Sequence, residues 1–531
     1  MATPPTGPRA HRDCGQHHLP VHPRTIVLLL FLAVVCVRTA RAQDAAVAPT
    51  NAAPAPAAQA PITISCESKA GSRTSCPADT SNGVVLVRSR GGAPCLLGKT
   101  WGYDQASVWV ADGCSADFVT GAGTPPADAT AKPKPLSYMP NVGFLIFDGE
   151  KGQVYFRLMS YGRYLNQRNL DEEYTDAFGN TKTIQRRQDV QLQKFFAPFS
   201  GWFLTPKMRY YLYVWSSNPS QGDPAQVVGA GNLTWGFNRH VNVGVGITSL
   251  PTVRSTEGQF PYWLGVDDRL IADEFFRGSY TSGVWVKGEL NTKVKYNVMF
   301  GNNLSTLGVS ASQLDNRFDT QSYSVQWLPT TGEFGLWNTF GDFDDHQQVA
   351  TRIGLHWSHS LEDKQSQPGT EGIENSQIRL TDGSSIFTPE LFGPGITITE
   401  VDWRMTSIDA GIKYKGLSLE GEYYRRWLSN YAGANVSGVP DISDHGYQLQ
   451  ASAMVVPKTL QLYFGTSQIF GDYGDPWEVR VGENWYLMKE RGIRLNGEWM
   501  YVKGSPVGYT AYPYAVGSTG PVFHINLELN F

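Results

Sequence analysis

The last nine residues of the chain alternate strictly between apolar and polar side chains, and this pattern limits the possible folds more than any other feature of the sequence. The apolar set Phe523, Ile525, Leu527, Leu529 and Phe531 is interleaved with the polar set His524, Asn526, Glu528 and Asn530. Successive side chains of a β-strand point to opposite faces, so a period of two predicts a strand with one apolar face.

The same alternation recurs from Asn141 onward, in stretches of about ten residues separated by clusters of Gly, Asn, Asp, Pro and Ser. The stretches that start at Val294, Leu417 and Ile493 carry charged residues on the polar face. The chain is hydrophilic, with a mean hydropathy of −0.29, yet it contains 15 Trp, 25 Tyr and 25 Phe, many of them where strands meet turns. A wall between lipid and water requires this combination.

We therefore expect an all-β protein whose main part is a transmembrane antiparallel β-barrel. Residues 141–531 number 391, and about 24 residues per strand gives about 16 strands. A soluble β-sandwich or propeller is the alternative, but the sequence shows no blade repeat and many charges on the polar faces. The last strand ends on Phe531, which is the assembly pattern of bacterial outer-membrane proteins.

Residues 1–42 have the layout of a cleaved signal peptide. The apolar run from Ile26 to Val37 follows Arg24 and precedes the small-residue triplet 40–42. This run is shorter than the roughly 20 residues that a membrane-spanning helix needs, which disfavours a helical anchor. Residues 43–61 are almost entirely Ala, Pro and Gln, and we expect a flexible linker there.

Residues 62–120 form a separate unit, because residues 121–140 are again a linker rich in Ala, Pro, Gly and Thr. An even number of cysteines in a small exported unit predicts two disulfides, with three possible connectivities. No His lies between the first and last cysteine and no C-x-x-C pair occurs, so no metal site is expected. The sequence predicts a small disulfide-bridged β module that contains Cys66, Cys76, Cys95 and Cys114.

The run C-L-L-G-K-T-W-G-Y-D at 95–104, with V-W-V at 108–110 and G-C-S-A-D-F at 113–118, resembles a four-cysteine exported module family of unknown function. The resemblance covers residues 62–119 and implies a folding unit, not an activity. Trp101, Tyr103 and Trp109 could stack on a glycan, but the core of so small a module is the favoured place for them.

Residues 150–531 resemble the phosphate-selective porin O and P family. The similarity lies in the strand from Val154, the Arg186-Arg187 pair, the segment from Asp273 to Gly288 and the stretch from Asn297 to Asn303. The resemblance implies a homotrimeric barrel of about 16 strands in the bacterial outer membrane, surrounded by outer-membrane lipid. It also implies passive diffusion of small hydrophilic solutes or inorganic ions, and a loop that folds into the lumen.

Two sets of charged residues follow from this interpretation. Alternation predicts the pore-lining candidates Arg157, Arg187, Lys287, Glu289, Lys295, Asp409, Lys413, Lys415, Glu420, Glu422, Arg494 and Glu498. The long irregular stretch 248–277 is the expected constriction loop, with Arg254, Asp267, Asp268, Arg269, Asp273, Glu274 and Arg277 as its charged residues. An extracellular loop that stands clear of the pore is the alternative.

The charged residues of the barrel segment do not decide whether a channel would prefer anions or cations. Residues 141–531 carry 32 basic and 40 acidic residues, a net charge of −8. A lumen lined by both signs favours a general diffusion porin with weak selectivity. A local track of arginines could still prefer anions or phosphate, because a guanidinium matches the phosphate oxygens.

Two other functions compete with a channel. A barrel-embedded hydrolase would need catalytic chemistry, but the sequence contains no G-x-S-x-G, H-E-x-x-H or Walker loop, so we expect neither an enzyme nor a cofactor. The cluster Asp342, Asp344, Asp345 and His346 could bind Ca²⁺, although a solvated loop is favoured. Alternatively, the barrel anchors the N-terminal module in the periplasm, where the module contacts peptidoglycan or a partner. Nothing indicates nucleic-acid binding.

Overall fold

The computed structural model describes residues 62–80, 84–104, 106–120, 137–139, 142–217, 226–257, 260–305, 317–363, 378–508 and 513–531. The predicted signal peptide, the first linker and residues 121–136 of the second linker lie outside these ranges. The chain divides into two compact units, residues 1–132 and 133–531. In the described ranges no helix has the length and apolar character needed to cross a membrane.

The first unit contains two antiparallel sheets, ordered β1-β6-β3 and β2-β5-β4. Its described strands are β1 (Ile62–Glu67), β2 (Arg73–Pro77), β3 (Val84–Ser89), β4 (Trp101–Tyr103), β5 (Ser107–Ala111) and β6 (Ser115–Thr120). Two disulfides are present, as predicted, and they join Cys66 to Cys76 and Cys95 to Cys114.

The aromatic residues of this module do not all lie in its core. Trp101 is buried beside Phe118, whereas Tyr103 is 41% exposed. Trp109 lies flat over Gly102, where a Cβ atom would come within 2.5 Å of its ring, and the Arg73 guanidinium lies 3.9 Å from the ring centroid. The core interpretation therefore holds for Trp101 and not for the other two residues.

The second unit consists mainly of one large antiparallel sheet. Its strands are β7 (Ser137–Met139), β8 (Gly143–Gly149), β9 (Gly152–Phe156), β10 (Met159–Asn166), β11 (Glu173–Thr175), β12 (Thr181–Thr183), β13 (Gln188–Phe203), β14 (Thr205–Ser217), β15 (Gln226–Gly236), β16 (Asn242–Ser249), β17 (Tyr280–Asn291), β18 (Val294–Gly301), β19 (Thr320–Trp327), β20 (Ala350–Asp363), β21 (Thr397–Tyr414), β22 (Leu417–Ala434), β23 (Ile442–Val456), β24 (Leu460–Phe470), β25 (Trp477–Tyr486), β26 (Ile493–Lys503) and β27 (Gly520–Asn530).

Sixteen of these strands, β10 and β13 to β27, form a closed barrel. Each strand pairs with the next, and β27 returns to β10 with Asn530 opposite Met159. The described helices are short: α1 (Ile271–Phe276) and single 3-10 turns at Arg254–Thr256, Leu336–Asn338 and Val436–Gly438. The predicted all-β barrel of about 16 strands is confirmed.

The outer surface of the barrel is apolar, because the alternating strands turn their polar faces inward. In β27, Phe523 and Leu527 are 39% and 45% exposed while His524 and Asn526 are buried. Exposed aromatic residues lie near strand ends on this outer surface, at Trp235, Trp327, Tyr414 and Trp485. Such a surface is suited to contact with lipid and with its interface.

The two barrel ends differ in their connections. At the C-terminal rim, where the chain ends at Phe531, strands are joined by turns such as 292–293 and 415–416, whereas residues 167–187 and 250–279 join strands at the opposite end, the loop rim. Residues 328–349 are an exception, because this long connection lies at the C-terminal rim. Short turns on one side and long loops on the other are usual in outer-membrane barrels.

One boundary of the second predicted linker is wrong. Residues 137–139 form β7, which pairs with β8 through Ser137 opposite Leu145. The Ala- and Pro-rich composition that indicated a linker ends just before this strand. The chain thus joins the large sheet earlier than its composition suggested.

Candidate functional site

Two loops that enter from opposite rims fill much of the barrel interior. The first inner loop, residues 250–279, joins β16 to β17 at the loop rim, and the second inner loop, residues 328–349, joins β19 to β20 at the C-terminal rim. Apart from the half-buried Glu257 and Phe260, every described residue of the first inner loop is buried. The polar interior and these loops form the candidate site.

Ion pairs attach the first inner loop to the far wall. Arg254 pairs with Glu420 of β22, and Asp268 accepts a hydrogen bond from Arg480 of β25 at 3.0 Å. The loop leaves the wall at β16 and returns at β17, so these contacts reach strands that lie far from its ends in the barrel order. The loop therefore crosses the lumen.

The second inner loop meets the first inside the barrel. The Nζ of Lys413 donates to the carbonyl of Phe334 at 2.9 Å, which ties the second loop to β21. Arg254 donates to the carbonyl of Asn338 at 3.1 Å, and its guanidinium lies 4.0 Å from the ring centroid of Phe340. The two loops thus support one another from opposite sides.

The buried charges on the inward face of β20 to β27 are neutralised by neighbouring charges. Arg480 lies 3.0 Å from Asp268, 2.6 Å from Glu478 and 3.2 Å from Glu498. A buried charge is costly without a partner, so removing one member of such a group is far more destabilising than exchanging the whole group. Similar buried pairs join Arg352 to Asp409 and Glu257, Arg426 to Asp444, and Arg494 to Glu528.

Most predicted pore-lining residues face the interior, but few of them contact water. Lys287 faces inward and is exposed, and Glu289 and Lys295 are half-buried. The expectation that the charged side chains face water is wrong for seven others, because the inner loops cover them. The covered residues are Arg157, Asp409, Lys413, Glu420, Glu422, Arg494 and Glu498.

Three predicted pore-lining residues do not lie in a strand, and one of them, Arg157 between β9 and β10, is still buried in the interior. The other two lie at the barrel rims. Arg187 precedes β13 in a loop-rim connection and pairs with Asp189 at 2.8 Å. Lys415 occupies the turn after β21, where it is exposed and has a φ of 48°. The alternation argument is wrong for both residues because it extends each strand past its end.

The predicted constriction-loop residues all lie buried in the first inner loop. Arg269 and Arg277 pair with Glu274 at 3.3 and 2.5 Å, and Asp267 pairs with Lys194 of β13 at 2.8 Å. The buried set is Arg254, Asp267, Asp268, Arg269, Asp273, Glu274 and Arg277. This placement disfavours the alternative of a loop that stands clear of the interior.

One side of the barrel is less filled than the other. Tyr211, Ala230, Asn232 and Thr234 face inward by register and are only half-buried. Gly246, opposite Asn232 on the next strand, adds no side chain to this side. Tyr213, Trp215 and Trp285 on the same inward faces are buried, so the less filled part lies nearer the C-terminal rim. We call the inward face of β14 to β17, with the exposed Lys287, the open wall; the inward face of β20 to β27 is the packed wall.

A buried cluster of Asp268, Glu498 and His524 does not fit a metal ion, although its ligand atoms lie within 4.8 Å of one another. Asn526 accepts from Arg163 at 2.8 Å, so its amide nitrogen donates to Nδ1 of His524, also at 2.8 Å. Nδ1 is therefore an acceptor and Nε2 carries the proton, 3.5 Å from Glu498. A metal-bound imidazole would need the opposite tautomer.

The second inner loop holds a His and carboxylate cluster near the C-terminal rim. Burial opposes protonation of His346, but hydrogen bonds to Asp342 and Glu333 raise its pKa to about 9. Burial likewise opposes ionisation of Glu333, but the hydrogen bond from His346 lowers the pKa of Glu333 to about 2. The solvated-loop interpretation is wrong for Asp342, which is buried and accepts from the amide of Gly416 at 2.8 Å.

Sequence reasoning missed the second inner loop and the buried bases Arg352 and Arg480. Both bases occupy the polar face of an alternating strand, so the period-two argument could have placed them inside. The unusual length of the connection 328–349 at a rim of short turns was the other available indication.

Comparisons with known proteins agree with two separate units. A family model described as "Protein of unknown function (DUF3011)" matches residues 63–132, which supports the predicted module family. No curated protein matches the chain. The resemblance of residues 150–531 to the phosphate-selective porins stays a prediction.

The barrel is similar to several solved structures, at low sequence identity. An anion-selective porin from Comamonas acidovorans shares 9% identity over 72% of this chain and 100% of its own, with a TM-score of 0.44. The outer membrane channel DcaP of Acinetobacter baumannii shares 9% identity over 72% of this chain and 99% of its own (TM-score 0.45). OmpT of Vibrio cholerae shares 12% identity over 72% of this chain and 100% of its own, with a TM-score of 0.42.

Proposed function

We propose that the protein is a channel of the bacterial outer membrane that passes small hydrophilic solutes or ions along the open wall. The observation that carries this proposal is Lys287, which faces the interior of a closed barrel and is nevertheless exposed to solvent. A charged side chain inside a lipid-surrounded barrel has this exposure only where water enters. The apolar outer surface accounts for insertion in a bilayer.

The packed wall makes the route narrow. The inner loops cover the interior of β20 to β27, where His356, Ser358 and Asp409 have no exposed surface. The part of the interior that remains for water and solutes lies along Tyr211, Ala230 and Asn232. We therefore expect a conductance well below that of a barrel of about 16 strands with an open lumen.

Weak anion preference is the selectivity that the interior supports best. Lys287 and the half-buried Glu289 both face inward on β17 of the open wall, and the half-buried Lys295 lies opposite Glu289 on β18, so cations outnumber carboxylates there. The buried arginines that could hold phosphate, such as Arg352 and Arg480, already bind carboxylates of the protein. The arginines of the packed wall therefore do not argue for a row of phosphate-binding side chains.

We place the C-terminal rim and the N-terminal module in the periplasm. The short turns of that rim are the type found on the periplasmic side, and the chain enters the large sheet through β7 and β8 next to the barrel's closing strands. A homotrimer, as the porin resemblance implies, completes the proposal and is tested by native mass spectrometry of the detergent-extracted protein.

Single-channel recording of the full mature protein in a planar bilayer tests the channel itself. We expect discrete current steps and, across a salt gradient, a small reversal potential of the sign for anion preference. Absence of current from protein that is inserted and folded would overturn the proposal.

An anchor for the module is the second candidate, favoured by the exposed Arg73, which stacks on the half-buried Trp109 on one of the module's sheets. Deletion of residues 43–132 separates the roles, because the two compact units divide near residue 132. A channel keeps its conductance after this deletion and loses only module-dependent binding to peptidoglycan. Loss of current in the inserted truncation would favour the anchor.

A further inference from the structure

A trough runs along β23 on the outer, lipid-facing surface of the barrel. Ala451 and Ala453 form its floor, between Leu419 and Leu417 on β22 and Phe464 and Leu462 on β24. The four flanking side chains are between 38% and 57% exposed. The two alanines stand between much larger neighbours, and the trough has a volume of about 640 Å³, within the range of roughly 300–1,000 Å³ of small-molecule sites.

The trough cannot remain empty in a membrane. An apolar surface that faces a void loses the dispersion contacts that a close-packed neighbour would supply. Only an acyl chain or another protein can supply those contacts on a lipid-facing surface. The exposed aromatic residues Tyr414 and Trp485 lie on either side, near strand ends, which is the level of the membrane interface.

The rim next to the trough carries positive charge. The trough ends at Ala453, and the exposed Val455 and then the turn 457–459 with Lys458 follow it toward the rim. The turns after β21 and β25 present Lys415 and Lys489 on either side, and all three lysines are exposed. Neighbouring turns at this rim are offset by two inter-strand spacings, which is about 10 Å. Cationic groups just outside an apolar trough match a phosphate headgroup above an acyl chain.

We propose that this trough binds an anionic glycerophospholipid of the inner leaflet, with an acyl chain over Ala451 and Ala453 and the phosphate near Lys458 and Lys415. The inference rests on the proposed membrane orientation of the barrel. Four carboxylates lie at this rim: Glu483 on the outer face of β25, Glu490 in the following turn, and Asp344 and Asp345 in the second inner loop, where the carbonyl of His346 accepts from the Lys415 amide at 2.8 Å. Glu483 lies beyond Leu462 and Glu490 shares its turn with Lys489, so Lys458 and Lys415 remain the cations closest to the trough.

Native mass spectrometry of the full mature protein tests the site. The protein is taken from vesicles that contain equal amounts of phosphatidylglycerol and phosphatidylcholine with identical acyl chains. We expect phosphatidylglycerol to be retained preferentially, and the double variant K415Q/K458Q to lose this preference by roughly tenfold, since each cation near a membrane surface has a substantial effect on anionic-lipid binding. Equal retention of both lipids by the unchanged protein would overturn the inference.

Two further variants separate charge from shape. K151Q/K207Q removes two exposed lysines from the same rim on the opposite side of the barrel, and we expect it to leave the preference intact. Ala453→Leu fills the trough and should reduce retention of both lipids, and unchanged retention would contradict the acyl-chain placement. A disulfide between two copies of an Ala453→Cys variant would show a protein neighbour instead and overturn the inference.

Conductance recorded from the same preparation keeps this test apart from the proposed channel function. Current steps without lipid preference would reject the lipid site and leave the channel intact. Lipid preference without current would reject the channel and leave the lipid site.

Discussion

The packed wall and the open wall are built from the same alternating strands, yet their inward charges serve different purposes. On the packed wall, Arg480 and Arg352 are buried and bind carboxylates of the inner loops and of neighbouring strands. On the open wall, Lys287 faces inward and reaches water. Alternation decides which face a side chain occupies, and the loops decide whether that face is wet.

The strongest test of this comparison is the loss of a buried base from the packed wall. Arg480→Ala leaves Asp268, Glu478 and Glu498 without their shared partner, and removing one member of a buried ion pair costs about 3–5 kcal/mol. We expect a lower free energy of unfolding in vesicles and a larger single-channel conductance, because the first inner loop loses an attachment.

The matched control is Arg404→Ala, on the outer face of β21. Its side chain is 45% exposed and pairs with Asp402 at 3.4 Å, so the expected loss is about 0–1 kcal/mol. Equal effects of the two substitutions on stability and conductance would remove the distinction between buried and exposed pairs.

Narrowing the open wall should reduce the current. Ala230→Trp adds a large ring to a half-buried inward position, and we expect the single-channel conductance to fall by roughly half or more. Ala410→Trp places the same ring on the exposed outer face of β21 and should leave it unchanged. An unaltered conductance of the Ala230→Trp variant would show that the solute route does not run along β15.

Charge reversal on the open wall should change the selectivity. Lys287→Glu exchanges an exposed cation for an anion inside the barrel, so the reversal potential in a tenfold salt gradient should shift toward cations, by about 10 mV, and less at high salt. Lys151→Glu makes the same exchange on an exposed turn of the C-terminal rim. A shift of the same size in both variants would show that the rim, and not the open wall, determines selectivity.

The smallest expected effect is a pH dependence of the second inner loop. The pKa of His346 is raised to about 9, so its contribution to loop stability is complete below the unfolded value of about 6.5 and is lost as the pH rises through 9. The protection factors of the amides of residues 328–349, which correct for the intrinsic pH dependence of hydrogen exchange, should therefore fall between about pH 8 and 10. His346→Gln should abolish that step, and a step that persists in the variant would assign it to another group.

The sequence predicted the barrel far better than its contents. The two faces of a strand such as β27 can be assigned from its own sequence, because successive side chains alternate between the faces and this alternation is a local property. The contacts of Arg254 with Glu420, or of Lys413 with Phe334, join residues far apart in the chain. No local pattern encodes such pairs, so the burial of Asp409 and Glu422 beneath the inner loops could not be predicted.

Thiol accessibility during single-channel recording tests the central claim most directly, since the four cysteines in the described part of the chain are all in disulfides. Asn232→Cys places a thiol on the open wall, and Ser452→Cys places one on the packed wall at a buried inward position. We predict that a charged thiol reagent reduces the current of the Asn232 variant and leaves the Ser452 variant unaffected. Equal modification of both, or modification of the Ser452 variant alone, would contradict a route along one side of the barrel.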